Sequence, residues 1–196
     1  VCIFCSQNKT MQDVSLENIK RYYQELSGLS DEGWADFSQC LTIRLVKKGE
    51  IIERPGKVSN TVFWVEQGLL RDYQIVDGKE SISAFFVDQT YGAVYDSFLT
   101  RQPSNYYVEA VEDSVLIDLY YDDMQKYYKK YPALERFGRK IAEFLFVFLS
   151  DRVHSLVNLD AETRYSKFVQ TWPQLQQRLP QYMIASYVGV TPEALS

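Results

Sequence analysis

The stretch from Val46 to Ala110 constrains the fold most, because turn residues cut it into apolar runs too short for helices. It reads Lys47-Lys48-Gly49-Glu50, then Pro55-Gly56, then Phe63-Trp64-Val65 ahead of Gly68 and Leu70, then Asp77-Gly78 and Tyr91-Gly92. Short β-branched and aromatic runs separated by regular turn signals specify an antiparallel sandwich or barrel. Asp77-Gly78 predicts a hairpin, since glycine accepts the positive φ of a tight turn. Pro55-Gly56 predicts another, with proline presetting φ and glycine in the left-handed position. A cupin barrel is the competing all-β reading, but a metal cupin needs several histidines and the chain has only His154.

The spacing resembles the β-roll of cyclic-nucleotide-binding domains. That family shows Lys-x-Gly-Glu, a glycine six or seven residues on, and an aromatic-aliphatic strand ending in x-x-Gly-x-Leu. Lys47 to Glu50, Gly56, Phe63 to Val65, Gly68 and Leu70 match it. The resemblance places the phosphate-binding cassette at Tyr91–Tyr107. In ligand-binding members a Phe-Gly-Glu glutamate accepts the ribose hydroxyl, and an arginine pairs with the cyclic phosphate. Here Tyr91-Gly92-Ala93 lacks the glutamate, and Ser104, followed by Asn105, falls on the arginine position. Arg101 lies three positions early. A buried phosphodiester without a cation is costly, so neither cyclic AMP nor cyclic GMP is expected in the usual way. Gly92, Ala93, Ser97, Arg101, Ser104, Asn105 and Tyr106 are the candidate effector-pocket residues, for an unidentified small molecule or for none.

The chain of 196 residues is 46% apolar and 15% aromatic, enough for a sizeable core in one or two domains. Its net charge of −5 is uneven. Residues 131–196 carry seven basic and six acidic side chains, so the acidity lies in the first two-thirds. That argues against a general polyanion binder and leaves room for a local nucleic-acid surface at the C-terminal end. No apolar run is long enough to span a membrane; Ile141–Leu149 is too short and contains Glu143. Val1–Cys5 lacks the basic flank of a signal peptide. The expected location is the cytoplasm, and Met11 is a plausible natural start, which would make residues 1–10 a start-site artefact.

Cys2-x-x-Cys5 invites comparison with iron–sulfur relatives of β-roll regulators. Such clusters usually need four thiolates, and only Cys40 remains, at the start of an apolar strand that suits a small buried thiol. No cofactor or metal is expected, and His154 reads as structural or solvent-facing.

In chain order, Ser15 is positioned to cap a helix through Leu16, Ile19, Tyr22, Tyr23 and Leu26, ended by Gly28. A second helix follows from Ser30 through Trp34 and Phe37. From Pro132 a long helix should run to about Asn158. Leu134, Phe137, Ile141, Phe144 and Phe148 form one stripe at coiled-coil spacing. Ala142, Leu145, Leu149, Val153 and Leu156 form another. So wide an apolar face needs more than one sheet to cover it. Another helix starts at Asp160-Ala-Glu162 and ends by Pro173.

The segment Ile184-Ala185 through Val188-Gly189-Val190-Thr191-Pro192-Glu193 to Leu195-Ser196 resembles a helix-turn-helix. Ala185 is the small crossing residue, Gly189 the turn glycine, and Thr191 with Pro192 the start of the second helix. With the β-roll and long helix before it, the chain resembles the Crp/Fnr transcription regulators, and its Val-Thr-Pro-Glu-Ala-Leu-Ser ending looks like their Bacteroidetes-type branch. The implied fold is α+β: N-terminal helices and an antiparallel β-roll, a cyclic-nucleotide-binding-like jelly roll, over residues 12–131. A long dimerisation helix then spans 132–158. A C-terminal winged helix-turn-helix over 159–196 is incomplete at Ser196, where the family usually continues with a guanine-reading arginine.

The resemblance implies a homodimer with Leu134, Phe137, Ile141, Phe144 and Phe148 against their symmetry mates. It also implies a palindromic double-stranded operator read by Thr191, Pro192, Glu193 and Ser196, with RNA polymerase as a further partner and no membrane. Glu193 could accept from cytosine N4. The competing reading is a ligand-sensing β-roll module that acts through protein partners without binding DNA. An enzyme has no support, because no nucleophile–base pair, metal spacing or phosphate loop stands out.

Overall fold

The computed structural model describes residues 14–191. Helix α1 (Glu17–Ser27) and α2 (Asp31–Phe37) lead in. Ser15 Oγ accepts from the Glu17 amide at 3.2 Å, but Leu16 occupies the cap position of α1, one residue later than expected. Gly28 closes α1 at φ 73°, and Ser30 caps α2 by accepting from Gly33 N at 3.1 Å.

Eight strands follow: β1 (Thr42–Val46), β2 (Ile51–Glu53), β3 (Thr61–Gln67), β4 (Leu69–Val76), β5 (Lys79–Val87), β6 (Thr90–Gly92), β7 (Tyr107–Ala110) and β8 (Ser114–Tyr120). They form two antiparallel sheets, ordered β1-β8-β3-β6 and β2-β7-β4-β5. The β4–β5 hairpin has the two-residue loop expected at Asp77-Gly78, both at positive φ, with Val76 opposite Lys79. Gly68 lies at φ 123°, and a Cβ there would stand 2.7 Å from the Ser114 backbone, so the motif glycine is required by close approach as well as by φ.

Strand β3 explains its unbroken apolar run by being covered on both faces. Phe63 and Val65 face the roll interior with Val46, Leu70, Val108 and Leu116. Val62 and Trp64 face the N-terminal helices and the long helix. The outer face of the second sheet carries Leu69, Tyr73, Ile82, Phe85 and Val87.

Helix α3 (Tyr95–Thr100) follows β6, in the stretch where the cassette is expected, and α4 (Tyr121–Lys130) joins the roll to the long helix α5 (Pro132–Asn158). The sequence reading did not anticipate α4, whose inner positions are held by Met124 and tyrosines that also favour strands. Three helices complete the described residues: α6 (Ala161–Thr171), capped by Asp160, then α7 (Leu175–Arg178) and α8 (Gln181–Val188).

The first half of α5 is part of the chain's own core. Phe137 stacks on Tyr23 with ring centroids 3.8 Å apart, and Leu134 and Ile141 are buried in the same cluster. Burial of each such side chain contributes about 1.5–3 kcal/mol. Leu134, Phe137 and Ile141 therefore cannot face a symmetry mate as expected, because α1, α4 and Tyr91 already cover them. The free face lies further on. Ala142, Phe146, Leu149, Val153 and Leu156 are exposed and step by four, three, four and three, the spacing of a coiled-coil seam. Phe144 lies beside that seam, 65% exposed, and Phe148 is half-buried. Leu145, expected in the second stripe, leans on the roll-side core, and Phe146 takes its place.

Candidate effector pocket and helical module

The expected pocket residues gather around α3, but most of their polar atoms are already engaged. Gly92 pairs with Phe63 across β3–β6, and a Cβ on it would lie 2.3 Å from the Phe63 ring; the glycine makes room for packing. Ala93 is buried. Ser97 Oγ donates to the Gln102 carbonyl at 2.5 Å and accepts from Ser59 N at 3.0 Å. Ser104, at the arginine position, is spent on its own turn. Its hydroxyl accepts from Tyr106 N at 2.8 Å, while its backbone pairs with Gly56 and Lys57. Asn105 is exposed, and Tyr106 is half-buried.

Arg101 is held by contacts at the end of α3. It caps α3 in the left-handed region at φ 58° and donates to the Ser59 carbonyl at 2.8 Å and to Asn60 Oδ1. Its guanidinium lies 4.1 Å over the Tyr121 ring.

Sequence reasoning missed the most consequential residue of the roll interior, Asp72. Along β4, Leu70 and Asp72 share a face, and Asp72 stands opposite Val108 of β7 and Ala84 of β5. Leu70 and Val108 are interior residues, so Asp72 points inward with them. Its Oδ1 is closed to solvent and has no hydrogen-bond partner. Burial, with the Asp96 carboxylate nearby, pushes its carboxyl up to about 8. Tyr106 is raised as well, by burial and then by Asp72 and Asp96. The roll interior thus contains a buried carboxyl group that holds its proton near neutral pH.

The helical segment from α6 to α8 covers the outer face of the second sheet. Phe168, Leu175, Leu179, Met183, Ile184, Tyr187 and Val188 pack on Leu69, Tyr73, Ile82, Phe85 and Val87. Ser186 clips α8 to the edge strand β5: its Oγ accepts from Ile82 N and donates to the Glu80 carbonyl, both at 3.0 Å. Arg178 reaches Asp88 at 2.6 Å, Glu112, and the Gly68 carbonyl at 2.9 Å. Ala185 is fully buried, and Gly189 ends α8 at φ 77°, donating to Ala185 O and Ser186 O. Thr191 follows in irregular backbone. Pro192, Glu193 and Ser196, expected to meet DNA, lie outside the described residues, as do Cys2 and Cys5.

Among the described residues, no group of three or more His, Cys, Asp or Glu side chains could hold a metal ion. Nor is any described helix long and apolar enough to cross a membrane. Cys40 is a free thiol pushed up to about 11 by burial.

Residues 43–131 match the family model described as Cyclic nucleotide-binding domain. No curated protein matches the chain in sequence. Among solved structures, it is similar to FixK2 from Bradyrhizobium japonicum, with 18% identity and a TM-score of 0.69 over 79% of this chain and 80% of that one. A CooA variant from Carboxydothermus hydrogenoformans aligns over 93% of this chain and 81% of its own, with 20% identity and a TM-score of 0.69. A proposed transcriptional regulator of the crp/fnr family from Eubacterium rectale gives 18% identity and a TM-score of 0.67 over 89% and 84%. At these identities the likeness is one of fold. Residues 43–131 are thus similar to a cyclic nucleotide-binding domain, and the chain shares its fold with these three solved structures.

Proposed function

We propose that the protein is a homodimeric, cytoplasmic, DNA-binding transcription regulator of the Crp/Fnr type, whose effector domain lacks the usual cyclic-nucleotide anchors. The supporting observation is the fold match, which extends over 93% of this chain in one neighbour. In this reading α5 pairs with its copy, α8 is the first helix of a helix-turn-helix, and Thr191, Pro192, Glu193 and Ser196 meet the operator. RNA polymerase is the further partner.

One observation favours a second reading, a β-roll module that works through protein partners. Of the three cations in the described part of the helical segment, two are neutralised within the chain, Lys167 by Asp151 and Arg178 by Asp88 and Glu112. Selection from random duplex DNA by the full-length protein separates the two. The regulator reading expects enrichment of a palindrome with half-sites about one helical turn apart, and binding that falls steeply with salt. Equal affinity for all sequences at physiological salt would leave the module reading.

For the roll, calorimetry with millimolar cyclic AMP should show no saturable heat. Each missing charge-assisted bond removes about 1.5–3 kcal/mol. Micromolar binding abolished by Arg101→Ala would instead show that the pocket has moved its cation.

A further inference from the structure

Where α5 meets α6 and α8, a cavity of about 110 Å³ opens with an unbalanced set of charges in its wall. Arg152, Arg164 and Lys167 line it, against the single carboxylate of Asp151. Lys167 takes that carboxylate for itself, at 2.6 and 2.7 Å. Arg152 lies 3.9 Å over the Tyr187 ring and donates to the Tyr187 carbonyl. Arg164 bonds the carbonyls of Val188 at 2.7 Å, Leu159 at 2.6 Å and Gly189 at 3.3 Å. Neither guanidinium has a carboxylate partner in any ion pair of the described residues.

Two other enclosed arginines of this chain are treated differently. Arg71 is paired with Glu80 and Glu109, and Arg178 with Asp88 and Glu112, two carboxylates apiece. Two guanidiniums brought together in partly desolvated surroundings repel each other and lose hydration, which a counter-anion would offset. Burial and the neighbouring Arg164 accordingly push Arg152 below its usual range. The remaining wall is aromatic. Phe168 and Tyr187 are buried, and Phe148 and Trp172 are half-buried with ring surface still free.

We infer that this junction binds a phosphate-bearing small molecule with a flat ring, its oxyanion on Arg152 and Arg164 and its ring against Trp172 and Phe148. Guanidinium presents a planar fork that matches phosphate oxygens, and aromatic faces accept a flat ring by stacking. An occupant here would bridge the end of α5 to α6 and α8 and fix the helical segment on the long helix. The inference is independent of DNA binding and of the roll interior.

The test is calorimetry on the full-length protein at low salt with three probes: adenosine 5′-monophosphate, inorganic phosphate and adenosine. The nucleotide should bind once per chain, inorganic phosphate more weakly, and adenosine not at all. Arg152→Gln should weaken the nucleotide by about tenfold or more, Arg152→Lys should recover part of the loss, and Arg21→Ala on the exposed face of α1 should change nothing. If Arg152→Gln does not fold, Trp172→Leu takes its place: it should weaken the nucleotide and leave inorganic phosphate unchanged. The inference is overturned by no heat with millimolar nucleotide, by adenosine binding as well as the nucleotide, or by variants that bind like the wild type. Displacement of the nucleotide by any duplex DNA would assign these cations to the DNA backbone, and that too would overturn it.

Discussion

Replacing Asp72 by asparagine is expected to make the protein more stable at mildly alkaline pH and to flatten its dependence on pH. The Asp72 carboxyl is raised in the fold to about 8, from its ordinary value of 3.8. A raised acid contributes its stability below its unfolded-state value and loses it as pH rises through the folded value. Wild-type stability should therefore fall between about pH 5 and pH 8 as the folded state resists giving up the proton. Asparagine fills the same space and has no proton to lose. Relative to the wild type it should gain about 2–4 kcal/mol across that window, the lower figure applying where the carboxylate draws in water. Glu53 and Asp118, also raised by burial, remain in both proteins and cancel in the comparison. Urea unfolding at several pH values measures it. Parallel curves for the two proteins would mean that Asp72 ionises freely and that the roll interior is wetter than its geometry shows.

The second large effect concerns α5. Leu149→Glu together with Val153→Glu should turn a dimer into monomers, with the dissociation constant rising by about a hundredfold or more, because four carboxylates would be driven into one apolar seam. Leu149 is 57% and Val153 60% exposed in the single chain, so the variant should fold and keep its melting behaviour as a monomer. Phe137→Glu should behave differently. Phe137 is buried against Tyr23, so the substitution should unfold the roll's helical cover and leave no folded monomer to weigh. Light scattering with thermal melting separates these outcomes. A wild-type protein that is monomeric at micromolar concentration would refute the seam.

What the residues determined by themselves is the part of the fold written in local chemistry. Asp77-Gly78 turned where its positive φ values allow, Ser30 and Asp160 capped helices one residue before they begin, and Pro132 stood at the first turn of α5. The motif glycines also held, Gly68 because Ser114 leaves no room for a Cβ. These depend on a few neighbouring atoms, so a short window of sequence contains the whole cause. That Ala93 and Ser104 stand where the resemblance expects a glutamate and an arginine is legible in the same way, since each is one residue at one position.

Tertiary structure alone decided which apolar stripe of α5 is free. The stripes are equally apolar in sequence, and only the packing of α1, α4 and Tyr91 hides Leu134, Phe137 and Ile141 while leaving Phe146, Leu149 and Val153 bare. It also decided the charges. Strand alternation places Asp72 with Leu70, but an inward face exists only because the sheet closes over β7 and β3. Arg152, Arg164 and Arg178 look alike in sequence; Arg178 meets Asp88 and Glu112 from distant loops, while Arg152 and Arg164 meet carbonyls and, for Arg152, the Tyr187 ring. A charge's partner is set by which distant segments converge on it and how much water they expel, and neither is encoded in the residues beside it.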